Sequence, residues 1–493
     1  MSKSRLIDIL RTFNQSQIKR FGKFLNSPFF NTNQTIIKYY DIIGKYHPDF
    51  PEDQLDKKKI FESLYPGKAY NDGAMRNLVS DMVSLAHKFI IHASVTENSL
   101  DMELLLLSYF NQNKLDEQFE KKINKTENDF SKSLLNEEEL FTSLRLLERE
   151  KQLFYSVRNR ENIHSETSFR ENLYGLYSYL FALFRSAHNA LHHKYTFNDN
   201  SLYEYINKIS AIININNLIS FFKANKFEYS DILEMYYLSY LSLINLNDDK
   251  SFQQFRLSIE KNYRNFSEFA LYNLMLIFEN CCTFRIQEGR IEFIKKYIDF
   301  QKWLDRNNIT STPEKYYYNS LRFINTVAYG CYLKDFDWLE QYIKKYLNRL
   351  SPEYQKSIYH LTYAYIDFEK GKFDSSANHL RNVNYDHFLI KLYVRELSLL
   401  NYYETGNIES AYLMIDSFHH FLSTNKSVSE IHRKKYSKFL GTYKEVLGLK
   451  IGHSEKTVSS LRKDIMKNIR ELRPRSSKWL LEKIDDLEKI TNR

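Results

Sequence analysis

The sequence predicts an all-α protein, and three observations predict it. Turn residues are scarce: 12 glycines and 7 prolines serve 493 residues, and no proline lies between Pro66 and Pro313. Between Gly73 and Pro313 the glycines are Gly175 and Gly289 alone. Sheets joined by tight turns need such residues often, and parallel α/β folds need glycine at their strand-to-helix turns. Second, apolar residues recur at the three-and-four spacing of a single helical face in segment after segment. Third, 43% hydrophobic against 27% charged residues is the balance of a folded chain, not a disordered one.

Residues 1–95 read as a compact helical head. Ile18, Phe21, Phe24 and Leu25 share one face, and Ser27-Pro28 ends that helix. Ile36, Tyr39, Tyr40, Ile43 and Tyr46 mark the next, closed by His47-Pro48, and a short helix DKKKIFESLY follows. In LYPGKAYNDGAMRNLVSDM (64–82), Pro66-Gly67 breaks one helix and Asn71 is the expected N-cap of the next, with Tyr70 and Met75 placed for a hydrophobic staple. That helix is expected to bury Met75, Leu78, Val79, Met82, Leu85, Ala86, Phe89 and Ile90. Its Pro-Gly-Lys is no phosphate loop: the motif needs glycine where Glu62 stands and a hydroxyl where Ala69 stands. A helix-turn-helix reading with Arg76 and Asn77 at the front is disfavoured, because the turn is longer than the usual three or four residues and Asn71 has a simpler use as a cap. Residues 96–200 carry longer helices. One opens at NEEEL, with Asn136 as N-cap, Glu137, Glu138 and Glu139 in the first turn, and Leu140, Leu144, Leu147, Phe154 and Val157 facing inward.

Residues 201–452 show repetition. AYIDFEKGKFDSSANHLRNV (364–383) and NYYETGNIESAYLMIDSF (401–418) each set a glycine between helices, an apolar residue two positions on and a small residue five on. The triplets are Gly371, Phe373, Ser376 and Gly406, Ile408, Ala411, with the glycines 35 residues apart. Glycine relieves the tight turn, the apolar residue packs beneath it, and the small residue lets the helices approach. This pattern resembles the tetratricopeptide family, whose period is about 34 residues. The resemblance implies an elongated α-solenoid of antiparallel helix pairs after the helical head, and a role as an interaction scaffold. Weaker echoes occur at 332–347, with Lys334 for the glycine and Leu339 for the small residue, and at 247–263. Residues 453–493 are expected to form a basic C-terminal capping helix, with Val458, Leu461, Ile465, Ile469 and Leu472 as its apolar stripe. KRFGKFLNSPFFNTN and the 64–82 stretch are similar to uncharacterised bacterial proteins of the Bacteroidota with a helical head before a helical-repeat body, a resemblance that implies no activity.

Several functions lose support from the residues. Cys281, Cys282 and Cys331 cannot build a disulfide framework or a CxxC zinc site. HNALHH places His188 and His192 at a metal-binding spacing, but Asn189 replaces the activating glutamate, and no third ligand is evident. No GxSxG or catalytic cysteine signature is present. The expectation is therefore no enzyme, no cofactor and no metal. MSKSRLIDILRTF lacks an apolar secretory segment, and NLYGLYSYLFALF (172–184) is too short to cross a bilayer, so a cytoplasmic chain without membrane insertion is expected. The abundance of Tyr (38) and Phe (36) beside Asn, Lys and Ile reads as AT-rich codon bias. The net charge of +9 sits at the ends: residues 1–95 hold 14 basic against 9 acidic side chains and residues 453–493 hold 11 against 7. Lys68, Arg76, Arg462, Lys463, Lys467 and Arg470 are the candidate contacts to an acidic partner. The expected function is a non-enzymatic scaffold or adaptor for a protein or peptide. The alternative is a nucleic-acid- or ribosome-associated factor using the basic ends.

Overall fold

A chain this poor in turn residues folds as helix after helix. The computed structural model describes residues 4–97, 99–131, 137–158, 160–197, 200–309, 312–313, 316–454 and 456–491. Among them are 24 α-helices and no strand beyond an isolated bridge between Tyr318 and Leu350. The chain divides into two compact units, Met1–Lys132 with Leu146–Ser168, and Ser133–Arg145 with Phe169–Arg493.

The first unit holds α1 (Arg5–Arg11), α2 (Gln15–Leu25), α3 (Gln34–Ile43), α4 (Lys57–Leu64), α5 (Asp72–Glu97), α6 (Ser99–Gln112) and α7 (Asp116–Ser131). Short polar side chains start these helices by satisfying free backbone amides. Asn14 forms a capping box with Gln17 on α2, and Asn33 and Asp56 cap α3 and α4. Asn71 accepts from the Ala74 amide at 3.0 Å as the first turn of α5 begins. Tyr70 packs edge-on against Phe61 and donates to Asp72 at 2.8 Å. The core gathers Leu6, Phe21, Tyr39, Ile43, Phe50, Met82, Ala86 and Phe89. On α5, Met75, Leu78, Met82, Leu85, Ala86 and Phe89 are buried as expected, but Ile90 is 38% exposed. It lies at the edge of the stripe, about 40° beyond Ala86 and about 100° from Phe89, and Val79 on the same edge is half-buried rather than buried.

The unit boundary runs through α8 (Glu137–Ser156) and α9 (Glu161–Thr196). Leu140, Leu144, Leu147 and Phe154 are buried on α8, whereas Val157 lies past its last turn and is 74% exposed. Asn136, the expected cap, lies outside the described residues, as do the side chains of Glu137, Glu138 and Glu139.

The second unit continues with α10 (Ser201–Ile212), α11 (Ile215–Ala224), α12 (Ser230–Ile244), α13 (Asp249–Asn262), α14 (Glu268–Gln287), α15 (Glu292–Arg306), α16 (Ser320–Tyr332), α17 (Phe336–Tyr346), α18 (Pro352–Glu369), α19 (Phe373–Arg381), α20 (Phe388–Glu404), α21 (Ile408–Thr424), α22 (Glu430–Lys450), α23 (Val458–Lys467) and α24 (Pro474–Thr491). Neighbours pack as pairs: α12 with α13, α14 with α15, α16 with α17, α18 with α19 and α20 with α21. First helices also meet across pairs, α12 with α14, α16 with α18 and α18 with α20. This sequential order is that of a helical-repeat arrangement.

One turn recurs between the paired helices. Gly289, Lys334, Gly371 and Gly406 have φ of 85°, 57°, 74° and 71°. After each, the next amide reaches the carbonyl five residues back: Arg290 to Arg285 (2.9 Å), Asp335 to Gly330 (3.1 Å), Lys372 to Asp367 (2.8 Å) and Asn407 to Tyr402 (2.8 Å). This is the Schellman closure, which satisfies orphan carbonyls at a helix end. Lys114 and Lys226 carry the same closure, through Leu115 to Phe110 and Phe227 to Phe222.

The small residues behave as spacers. Ser376 is fully buried; its hydroxyl donates to the Ala364 carbonyl (2.8 Å) and accepts from Asn401 Nδ2 (3.0 Å). Ala411 is fully buried, Phe373 sits edge-on against Phe368, and Ile408 packs on the same core. Where Leu339 replaces the small residue, the facing helix compensates: a Cβ on Gly330 would lie 3.1 Å from Leu339 Cδ1.

Buried polar groups join successive pairs. Arg322 of α16 grips Glu279 of α14 with Nε at 2.6 Å and a second bond from Nη2, and Gln301 of α15 donates to the same carboxylate at 2.6 Å. Glu396 of α20 accepts from Tyr436 of α22 (3.4 Å), from Arg473 and from Ser476 of α24. Residues 453–493 form two helices, not the single one expected. The α23 stripe stops at Lys467, a 3-10 turn spans Ile469–Glu471, and Pro474 opens α24, where its missing N–H needs no partner.

Nothing lies within 4 Å of a Cβ built on Gly406, so Gly406→Ala should cost only the left-handed backbone strain, about 1–2 kcal/mol. Lys334→Gly should stabilise, by up to about 1 kcal/mol, since it removes that strain at an equivalent turn. Arg322→Ala should cost about 3–5 kcal/mol by stranding Glu279, while changing both residues to Met should be near neutral. Chemical denaturation of each variant measures all three.

Candidate functional site

The expected basic contacts fall into distinct settings. Lys68 is exposed on the turn before α5, with Nζ 5.7 Å from the Tyr65 ring centre. Arg76 is 72% exposed and pairs along its own helix with Asp72 at 3.1 Å. Arg462 of α23 is bonded to Asp485 and Glu488 of α24, so its guanidinium clasps the last two helices. Lys463 and Lys467 are exposed one turn apart on α23. The nearby ion pairs run through other cations, Lys456 to Asp464 and Lys434 to Glu471. Arg470 follows on the turn, exposed, with its carbonyl accepting from Lys435 Nζ at 2.9 Å. The structure thus places Lys463, Lys467 and Arg470 in one short segment of the second unit, and Lys68 and Arg76 in the first.

Two concavities in the second unit were invisible in the sequence. The first, of about 220 Å³, lies between α9, α12 and α14, lined by Phe181, Tyr236, Leu276 and Ile277 with Asn189 and Asn273. His188 also borders it; burial pushes its pKa down to about 3, so the ring is neutral and accepts from Asn280 Nδ2 at 2.7 Å. Its i+4 partner His192 has Nδ1 3.4 Å from the Thr196 hydroxyl. Among the described residues no group of three or more His, Cys, Asp or Glu is placed to hold a metal ion. The lining residues come from positions scattered between 178 and 277, and no local motif connects them.

The second is a cleft of about 800 Å³ bordered by Tyr195, Glu288, Arg290, Lys434, Lys435, Arg470 and Glu471. Most of its charges are matched internally: Lys434 with Glu471 (3.0 Å), Arg290 with Asp249 (2.7 Å), and Tyr195 donating to Glu288 (3.4 Å). Lys435 is buried, and desolvation pushes its ammonium down to about 8. The three cysteines are free and buried, and burial pushes the Cys281 and Cys331 thiols up to about 12, which leaves them protonated and non-nucleophilic at neutral pH.

No described helix is long and apolar enough to cross a membrane. No protein-family model, curated protein or solved structure matches the chain.

Lys435 binds its proton more weakly in the fold than in an ordinary lysine near 10.5. Between about pH 8 and that value the unfolded chain holds more protons, so stability rises with pH. Wild type should therefore gain stability relative to Lys435→Met between pH 8 and 10, read by denaturant midpoints. The thiols should react with Ellman's reagent at pH 8 only after denaturation.

Proposed function

We propose that the chain is a non-enzymatic scaffold of tetratricopeptide-like class that binds a partner protein through an extended peptide segment. The carrying observation is the apolar cavity between α9, α12 and α14. At about 220 Å³ it falls below the roughly 300–1,000 Å³ of pockets that enclose small molecules, and suits one large apolar side chain. The Asn189 and Asn273 amides on its lining each offer a donor and an acceptor, the pair that an extended peptide backbone demands. The paired helices, the recurrent left-handed turns and the Gly371 and Gly406 triplets support the tetratricopeptide-like reading. Buried free thiols fit a reducing, cytoplasmic setting.

Nucleic-acid or ribosome association is the second reading, favoured by the exposed Lys463 and Lys467 on α23 with Arg470 beyond them. That reading predicts heparin retention and an affinity falling with salt by a log–log slope of about 0.9 per phosphate neutralised.

Tagged protein purified from its host with and without nuclease separates the two. The scaffold reading expects a nuclease-resistant partner, lost at least about tenfold on Leu276→Arg, which fills the cavity, with unchanged circular dichroism. Capture indifferent to Leu276→Arg contradicts it, and capture abolished by nuclease transfers the case to Lys463 and Lys467.

A further inference from the structure

The close packing of α18 on α19 brings two imidazoles together. His360 Nδ1 lies 3.0 Å from His379 Nδ1, with ring centres 5.2 Å apart. In a neutral pair one Nδ1–H donates to the other nitrogen; with both lone pairs turned inward, the same atoms are two convergent donors. Two zinc–nitrogen bonds of about 2.1 Å at a tetrahedral angle set their nitrogens roughly 3.4 Å apart, so a few tenths of an ångström of separation admits a cation.

The surroundings hold the rings in place. Asp367 Oδ2 stands 3.8 Å from His379 Nε2, and the Ser375 hydroxyl donates to that same oxygen at 2.6 Å. A carboxylate behind the far nitrogen of a histidine favours the tautomer with its proton on Nε2, which leaves the Nδ1 lone pair for a metal. Tyr363 stacks on His379 (5.9 Å, 27°), Tyr359 stands edge-on to His360 (5.4 Å, 83°), and the two tyrosines pack at 4.6 Å. Both histidines are half-buried, so solvent reaches the remaining coordination positions.

We propose that His360 and His379 form a two-histidine site for a zinc-class divalent cation, with Asp367 orienting His379. Imidazole pairs select Zn²⁺, Ni²⁺ and Cu²⁺ over Mg²⁺ and Ca²⁺. The site has two protein ligands and so lies outside the three-residue clusters considered above. No sequence spacing flags it, because the histidines are 19 residues apart on separate helices.

Titration calorimetry of the full chain with ZnCl₂, with MgCl₂ as control, tests the proposal. His360→Ala and His379→Ala should each abolish one zinc equivalent, Asp367→Asn should weaken that equivalent about tenfold, and the exposed pair His419→Ala/His420→Ala should leave it intact. A wild-type readout guards against misfolding of the variants: zinc should shield the His360 and His379 peptides from diethyl pyrocarbonate, and magnesium should not. Absence of that shielding, or a zinc equivalent that survives both alanine variants, overturns the proposal.

Discussion

A carboxylate buried between helices leaves little freedom in how those helices meet. Glu279 and Arg322 are each 5% exposed, and removing both charges from water costs several kcal/mol per ion. The cost is offset only if the two-pronged contact forms and the remaining lone pairs and protons find partners. Gln301 supplies one, Thr312 another at 3.4 Å from Arg322 Nη1, and the guanidinium lies over the Tyr318 ring. Since these groups come from α14, α15, α16 and the segment before α16, one ion pair sets the register of two successive helix pairs. Glu396 repeats the device further along, joining α20 to α22 and α24 through Tyr436, Arg473 and Ser476.

The buried charges and the left-handed turns hold the frame; the apolar cavity with its two asparagines, the exposed lysines of α23 and the His360–His379 contact lie outside these ion pairs. Arg285 shows how the frame employs a buried cation. It is completely buried, bonded to the carbonyls of Ser242 (2.8 Å), Cys281 (3.1 Å) and Asp248 (3.2 Å), and flanked by the Phe252 and Phe293 rings. It thereby caps the end of α12, where unpaired carbonyls favour a cation.

What was legible in the sequence was local. The Asn71 cap, the Met75-to-Phe89 stripe and the glycine turns at 371 and 406 each follow from a few neighbouring residues. The turn at Lys334 was only an echo, and those at Lys114 and Lys226 were hidden, because the Schellman bonds impose the left-handed conformation and a lysine tolerates it. Glycine spacing therefore under-reports the repeat. The single basic helix expected at the C-terminus failed on a local signal: Pro474 suits a first helical position, not a continuing one. A count of basic residues could not show that Arg462 is bonded within the chain while Lys463, its neighbour, is exposed. The cavity was beyond reach, since it depends on helices distant in sequence, and the paired histidines depend on how two consecutive helices fold back on each other, which no local spacing shows.

Register set by buried ion pairs is the claim on which this account rests, and hydrogen exchange of Glu279→Gln, read by mass spectrometry, tests it most directly. The account predicts that α14, α15 and α16 lose protection together, while α1 to α5 exchange as in wild type. Loss of protection confined to the turn of α14 around residue 279 would contradict it.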